Sequence, residues 1–376
     1  MGFGLGNKGW CAGALVWLAW GAPGCYVGLD EDSATDGETE GTMDDGPGTS
    51  AGPGGGPGGG PGEGSADTGP GESSATQSGP GSDTDDSATA GETEGPGDSS
   101  GDDGPDPSEV EMMCNRWTSD RADMSEGSWS GSVGACNAGD ISADGRANAL
   151  RLLNLHRWMV GLPEVSTDPM RDSMAQECAL MMHANGSLSH SPPMGWTCYS
   201  ADGASAAASS NISTGPGVMS VDLYMVDPGN STTLGHRRWI LSNSVGPVGL
   251  GSTSDYSCMW VIGGAGGGSN EWTAWPSPGP FPFEAISPLG FASLNDTGWS
   301  VQSDSIDLGG ANVTITADGD PRPVTVTNLA GGYGSSTAIS MIPSGWTAQP
   351  DTTYHVLVDG IGGGPIEYDV QIVDCG

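Results

Sequence analysis

Lysine is almost missing from this chain. Lys8 is the only one, and the 10 Lys+Arg together face 47 Asp+Glu, a formal charge of -37 over 376 residues. So little positive charge excludes nucleic acid and anionic membrane surfaces as partners, because both are bound largely through Lys and Arg that neutralise phosphate. Standard catalytic signatures are lacking too. There is no G-x-S-x-G elbow set between a strand and a helix, no H-E-x-x-H, no P-loop and no G-x-G-x-x-G after a strand. The familiar hydrolase and nucleotide-binding classes are therefore disfavoured, although a site assembled from distant segments is not. No C-x-x-C pair is present, which excludes a zinc ribbon and a thioredoxin-like redox centre. No apolar run is long enough to span a bilayer: "WCAGALVWLAW" is too short.

That short run belongs to an export signal over 1–24, with Lys8 as a minimal positive region and "GAPGC" supplying small residues before Cys25. The small residues ahead of Cys25 resemble a bacterial lipobox, with Ala22 where that pattern usually has leucine, so Cys25 is the candidate lipidation site and plain secretion the alternative. Setting aside Cys11 and Cys25 leaves Cys114, Cys136, Cys178, Cys198, Cys258 and Cys375, an even set. An exported chain is expected to join these in three disulfides. Spacing singles out only the local pair Cys114 with Cys136, and a bridge from Cys375 would pin the end of the chain.

From Asp30 to Glu109 there are 21 acidic residues, no Lys or Arg, and little besides Gly, Pro, Ser, Thr and Ala. Such a segment buries too little apolar area to offset chain entropy, so 25–112 is expected to be a disordered, self-repelling spacer. The near-repeat "SATDGETEG" and "SATAGETEG" is low complexity rather than a solenoid. If Cys25 carries lipid, the spacer holds the folded part away from the membrane.

Two helices are predicted between 142 and 186. The first carries apolar stripes through Ala147, Leu150, Leu153 and through Leu152, Leu155, Met159. The second has Asp168 as N-cap, Pro169 in the first turn and Met170, Met174, Cys178 and Met181 spaced for one face. Short helices follow near 220–226 and 234–241, then buried strands in "PVGLGS" and "SCMWVIGG". Past "WPSPGPFPF" the helical period gives way to alternating runs such as "NVTIT", "PVTVTN", "YHVLVDG" and "YDVQIV", expected of a small antiparallel sandwich.

His190 in "LSHSPP" and His236 in "TLGHRRWIL" are the histidines in punctuated contexts. The other three lie in helical or strand-like runs. The ordered elements "NALRLLNLHRWMVGLPEV", "LSHSPP", "SSNIS", "YMVDPGNSTTLGHRRWIL", "VGLG" and "CMWVI" resemble the CAP superfamily (cysteine-rich secretory proteins, antigen 5 and pathogenesis-related 1) in its bacterial form, over roughly 145–265. The resemblance implies an α-β-α sandwich with a cleft. His190 and His236 match the family's two cleft histidines, Asp227 matches one acidic position, and Ser210 stands where the other has glutamate. Two imidazoles and one carboxylate are a three-ligand set for a divalent cation such as Zn²⁺, whereas the lost carboxylate lowers the appeal to hard cations. In the alternative reading these histidines only fix loops and Asp227 caps a turn. In "TLGHRRWIL" helical phase puts His236 with Ile240, and Arg237 and Arg238 anchor the helix to acidic or carbonyl partners.

The fold class expected is α+β: signal peptide 1–24, acidic linker 25–112, CAP-like domain with an N-terminal extension 113–280, and a C-terminal β-sandwich 281–376. The function expected is that of an exported, lipid-anchored bacterial surface protein. Its cleft binds a ligand or cation without turnover, and touches membrane only through the anchor. Lipid, cell-wall or surface components are the ligand classes implied. Alternatives are a metal-dependent hydrolase using His190, Asp227 and His236, and an adhesive role for the β-domain.

Overall fold

The computed structural model describes residues 107–376; the expected export signal over 1–24, the expected lipidation site Cys25 and the acidic segment up to 106 lie outside the described residues. The first element is a helix, α1 (Pro107–Asp120), with proline and Glu109 in its first turn and Met113 and Trp117 buried one turn apart. This helix covers the last six residues of the stretch 25–112 expected to be linker. Its composition masked an apolar stripe, Val110, Met113 and Trp117, that needs the rest of the fold to pack against.

Helices α2 (Ala143–Met159) and α3 (Pro169–Asn185) follow. Both ends of α3 are closed by their own cap residues. The Asp168 side chain accepts from the amides of Met170 and Arg171 at 3.0 Å each, and Gly186 ends the helix at φ 60°. Its buried face differs from expectation at one place: Ala175, Cys178, Ala179, Met181 and Met182 are buried but Met170 is exposed, since it lies in the first turn beyond the layer below. After α4 (Ala201–Ala208), β1 (Ser210–Ser213), α5 (Gly217–Val226) and α6 (Gly235–Ile240) come β2 (Gly249–Ser252) and β3 (Ser257–Trp260). The three strands form an antiparallel sheet in the order β1-β3-β2. One face, with Leu250 and Met259, packs on α2 and α5. The other, with Ile212 and Cys258, packs on α3 and α4. Period-two alternation along the strands thus produces three layers, helix, sheet and helix.

The remainder is all-β apart from a 3₁₀ turn (Phe283–Ile286) and one short helix, α7 (Leu294–Thr297). Strands β4 (Trp272–Trp275), β6 (Trp299–Ser303), β10 (Thr337–Pro343) and β9 (Val324–Asn328) make one sheet in that spatial order. Strands β5 (Gly279–Pro282), β12 (Ile366–Val373), β11 (Thr352–Asp359), β7 (Asn312–Ala317) and β8 (Asp320–Pro321) make the second, antiparallel except where β5 joins β12. Along β12, Ile366, Tyr368, Val370 and Ile372 turn inward while Glu367 and Asp369 face water. Strand β4 lies ahead of the boundary expected at 280 yet belongs to the first of these sheets. The apolar faces of both sheets and those of α1, α2, α5 and α6 meet in one continuous core. Trp275 marks the junction, with its ring 5.4 Å from that of His156 on α2 and 4.8 Å from that of Phe281 on β5.

Three disulfides cross this fold, Cys114–Cys375, Cys136–Cys198 and Cys178–Cys258. The local pairing Cys114 with Cys136 is incorrect. Cys114 sits on α1, which packs against β5 of the sandwich and so meets the end of the chain rather than its sequence neighbour. The pinned terminus at Cys375 is as expected. Disulfides of this kind persist in oxidising compartments. Among the described residues no helix is long and apolar enough to cross a membrane.

One ionic cluster is largely enclosed, with Arg121 at its rim. Arg121 clamps the two oxygens of Asp222 at 2.9 and 2.8 Å, and Nε2 of His156 lies 3.2 Å from the same carboxylate. Burial lowers the affinity of His156 for a proton, against the pull of Asp222. Burial opposes ionisation of Asp222, but the hydrogen bonds from His156 and Arg121 outweigh it and hold the carboxyl below its usual range. A neutral imidazole donating from Nε2 satisfies both, and it explains why Nδ1 of His156 is buried without a partner.

Candidate functional site

The segment "DPGNSTTLGHRRWIL" builds the site from the chain reversal between α5 and α6. Asp227 ends α5 in a left-handed conformation, φ 57°, which turns its carboxylate back over the first amides of α6. Its Oδ2 accepts from the backbone N–H of His236 at 3.0 Å and of Arg237 at 3.3 Å. Its Oδ1 accepts from the Asn230 amide at 2.7 Å and lies 2.9 Å from Nδ1 of His236. Nδ1 of His236 thus stands between an acceptor, Oδ1 of Asp227, and a donor, the Asn230 carboxamide nitrogen at 3.0 Å. The ring is backed by Tyr224, 5.0 Å away between centroids.

His190 reaches the same place from the loop after α3. Its Nδ1 lies 2.8 Å from the carbonyl of Ala207. A carbonyl can only accept, so Nδ1 of His190 carries the proton. Far apart in sequence, His190 and His236 line one cavity of about 170 Å³ together with Ser210, Asn211, Trp239 and Tyr333. Ser210 is buried, and its Oγ has no hydrogen-bond partner. No Asp, Glu, Lys or Arg lines this space.

The expected trio is therefore only partly assembled. His190, His236 and Ser210 share the cavity, whereas Asp227 is spent behind His236 on two amides, a carboxamide and the ring itself. Among the described residues no group of three or more His, Cys, Asp or Glu side chains is arranged to hold a metal ion. The three-ligand set His190, Asp227 and His236 does not form, because the carboxylate that would complete it caps α6 instead. The residues present do not fit a resident Zn²⁺, which takes three or four protein ligands. Ser210 adds only a neutral hydroxyl where a carboxylate would supply charge.

The two arginines beside His236 do work that sequence phase only half revealed. Both are fully buried. Arg237 donates to the carbonyls of Met225, Val226 and Gly298 at 2.7, 3.0 and 2.8 Å, and to the hydroxyls of Ser300 and Thr297 at 3.1 Å each. Arg238 donates to the carbonyls of Thr233, Ala330 and Ser335 and to the Ser335 hydroxyl. Their partners are carbonyls and hydroxyls, with no carboxylate among them, and most sit in the β-sandwich half. Burial pulls both guanidinium groups down to about 10, still charged at neutral pH.

Asn230 and Tyr333 are lining residues that sequence reasoning missed. For Asn230 a signal existed, three residues after Asp227 in a turn rich in side-chain capping residues. Tyr333 had none, standing in "GGYG" far along the chain.

Comparison with family models matches residues 150–262 to the CAP, or cysteine-rich secretory protein, family. Comparison with curated proteins and with solved structures gives no match. Helices on both faces of a three-stranded sheet, two histidines on one cavity and this match together make residues 150–262 a CAP domain of the cysteine-rich secretory protein family.

Proposed function

We propose that the protein is an exported, lipid-anchored surface protein whose CAP cleft binds a small ligand without turning it over. Residues 1–24 serve as its export signal, Cys25 as the anchor and the acidic stretch that follows as a spacer ahead of the CAP domain and the sandwich. The observation that carries the binding role is the convergence of His190 and His236 on one cavity, lined also by Ser210. Catalysis has less support. A serine nucleophile is activated by a hydrogen bond to a base, and Ser210 Oγ bonds to neither imidazole. The hydrolase alternative also loses its metal set.

The test is ligand-observed NMR on the full chain with a fragment library of neutral, anionic and cationic compounds, repeated with Ser210→Phe, which fills the cavity. Hits that vanish in the variant while its thermal unfolding is unchanged support the reading. Hits that bind both proteins equally, or an empty screen, overturn it.

A further inference from the structure

The cavity is not made by the CAP domain alone. Gly332 and Tyr333, in the loop 329–336 between β9 and β10, form part of its wall, and they lie far outside the family match over 150–262. The loop is fastened to the helix that carries His236. Arg238 ties Ala330 and Ser335 to α6, and the amide of Ala330 donates to the carbonyl of Thr232 at 2.9 Å. Leu329 and Ala338 pack on Leu234. Two glycines permit the approach. A Cβ on Gly235 would stand 2.7 Å from the Tyr333 ring, and one on Gly334, at φ 69°, would clash with the carbonyl of Arg238. Helix and loop are thus cut to fit, and Tyr333 is held against the site with the Arg238 guanidinium 5.9 Å from its ring.

Resting on the binding role given above, we infer that the β9–β10 loop completes the cleft and that Tyr333 is its specificity-determining residue, offering a flat aromatic surface to a neutral, hydroxyl-bearing ring of monosaccharide size. The volume, about 170 Å³, lies below the roughly 300 Å³ at which drug-sized sites begin, so a single ring fits and a lipid chain does not. No carboxylate, ammonium or guanidinium group lines the cavity, which favours a neutral ligand over a strongly ionic one. What remains is two aromatic side chains, Trp239 and Tyr333, together with imidazole nitrogens and a hydroxyl. Flat apolar faces with neutral hydrogen-bonding groups between them match a ring that carries C–H groups on its faces and hydroxyls at its edge.

Isothermal titration of the full chain with glucose, N-acetylglucosamine, inorganic phosphate and zinc chloride, each alone, tests this. One of the sugars is expected to bind, Tyr333→Ala to weaken it about tenfold, Tyr333→Trp to keep affinity while changing the preference between sugars, and Ser210→Phe to abolish it. If Ser210→Phe abolishes binding while Tyr333→Ala and Tyr333→Trp leave affinity and preference unchanged, the loop is a bystander and the cleft reading survives without it. Sugar binding unaffected by Ser210→Phe sinks the cleft reading itself. Heat from zinc or phosphate alone, or from no probe, overturns the ligand class.

Discussion

Arg237 gives the sharpest test of how the CAP domain is joined to the sandwich. Arg237→Met keeps most of the buried volume and deletes all five hydrogen bonds. The hydroxyls of Ser300 and Thr297 can rotate to new partners, but the carbonyls of Met225, Val226 and Gly298 cannot. At about 1–3 kcal/mol for each orphaned buried group, the loss is roughly 3–9 kcal/mol. Against it stands the relief of no longer burying a charge. Desolvation pulls the guanidinium well below its ordinary value, to about 10, which at about 1.4 kcal/mol per tenfold amounts to roughly 3 kcal/mol. A net destabilisation of about 3 kcal/mol is expected. In urea, with a slope of about 2–3 kcal/mol/M, the unfolding midpoint should fall by about 1 M or somewhat more. Arg237→Lys, whose single head reaches fewer carbonyls, should fall between variant and parent. A midpoint that moves by less than about 0.3 M at unchanged slope would refute the reasoning, because the carbonyls would then be satisfied without the arginine.

Three further outcomes are expected. Gly334→Ala forces a Cβ into the Arg238 carbonyl at a positive φ, so stability should drop by about 1–3 kcal/mol, read by urea unfolding, with the Tyr333 ring resonances shifted in NMR spectra. Cys114→Ser with Cys375→Ser removes a bridge across 261 residues and should cost about 2–5 kcal/mol; an unchanged midpoint would mean that α1 is held by packing alone. Burial sets His156 below its ordinary 6.5, so on lowering the pH the unfolded chain takes up this proton before the folded one does. The stability it provides is whole above about pH 6.5 and is lost progressively below it. His156→Gln should flatten that acid limb, and a limb of undiminished steepness would assign it to other groups.

Much of the fold was legible because local chemistry and tertiary packing agree. Asp168, Pro169 and Gly186 bound α3 as their types dictate, and the alternating runs from 312 onward became the strands of the sandwich. Strands β4 and β6 escaped notice because they are buried on both faces, so "WTAW" and "WSVQS" carry no period of two. Helix α4 is nearly all alanine, glycine and serine and has too little apolar contrast to show a stripe. Of the site, His190 and His236 were found by their setting in family-like motifs. That Asp227 points to α6 rather than into the cavity depends on a left-handed residue at the end of α5, which no spacing rule reveals. Tyr333 is brought in by a loop whose fastening, Arg238, is itself in the motif but whose partners are backbone carbonyls and so leave no trace in residue types.

The bridge from Cys114 to Cys375 joins the first helix to the last residues of the chain. A pull applied between residues 107 and 376 would enter along the first turns of α1, cross the sulfur–sulfur bond and leave at once. Every strand and helix in between would stay unstretched. Tension from outside thus has no route by which to pry open the cleft, and would gain one only after a reductant cut that single covalent shunt.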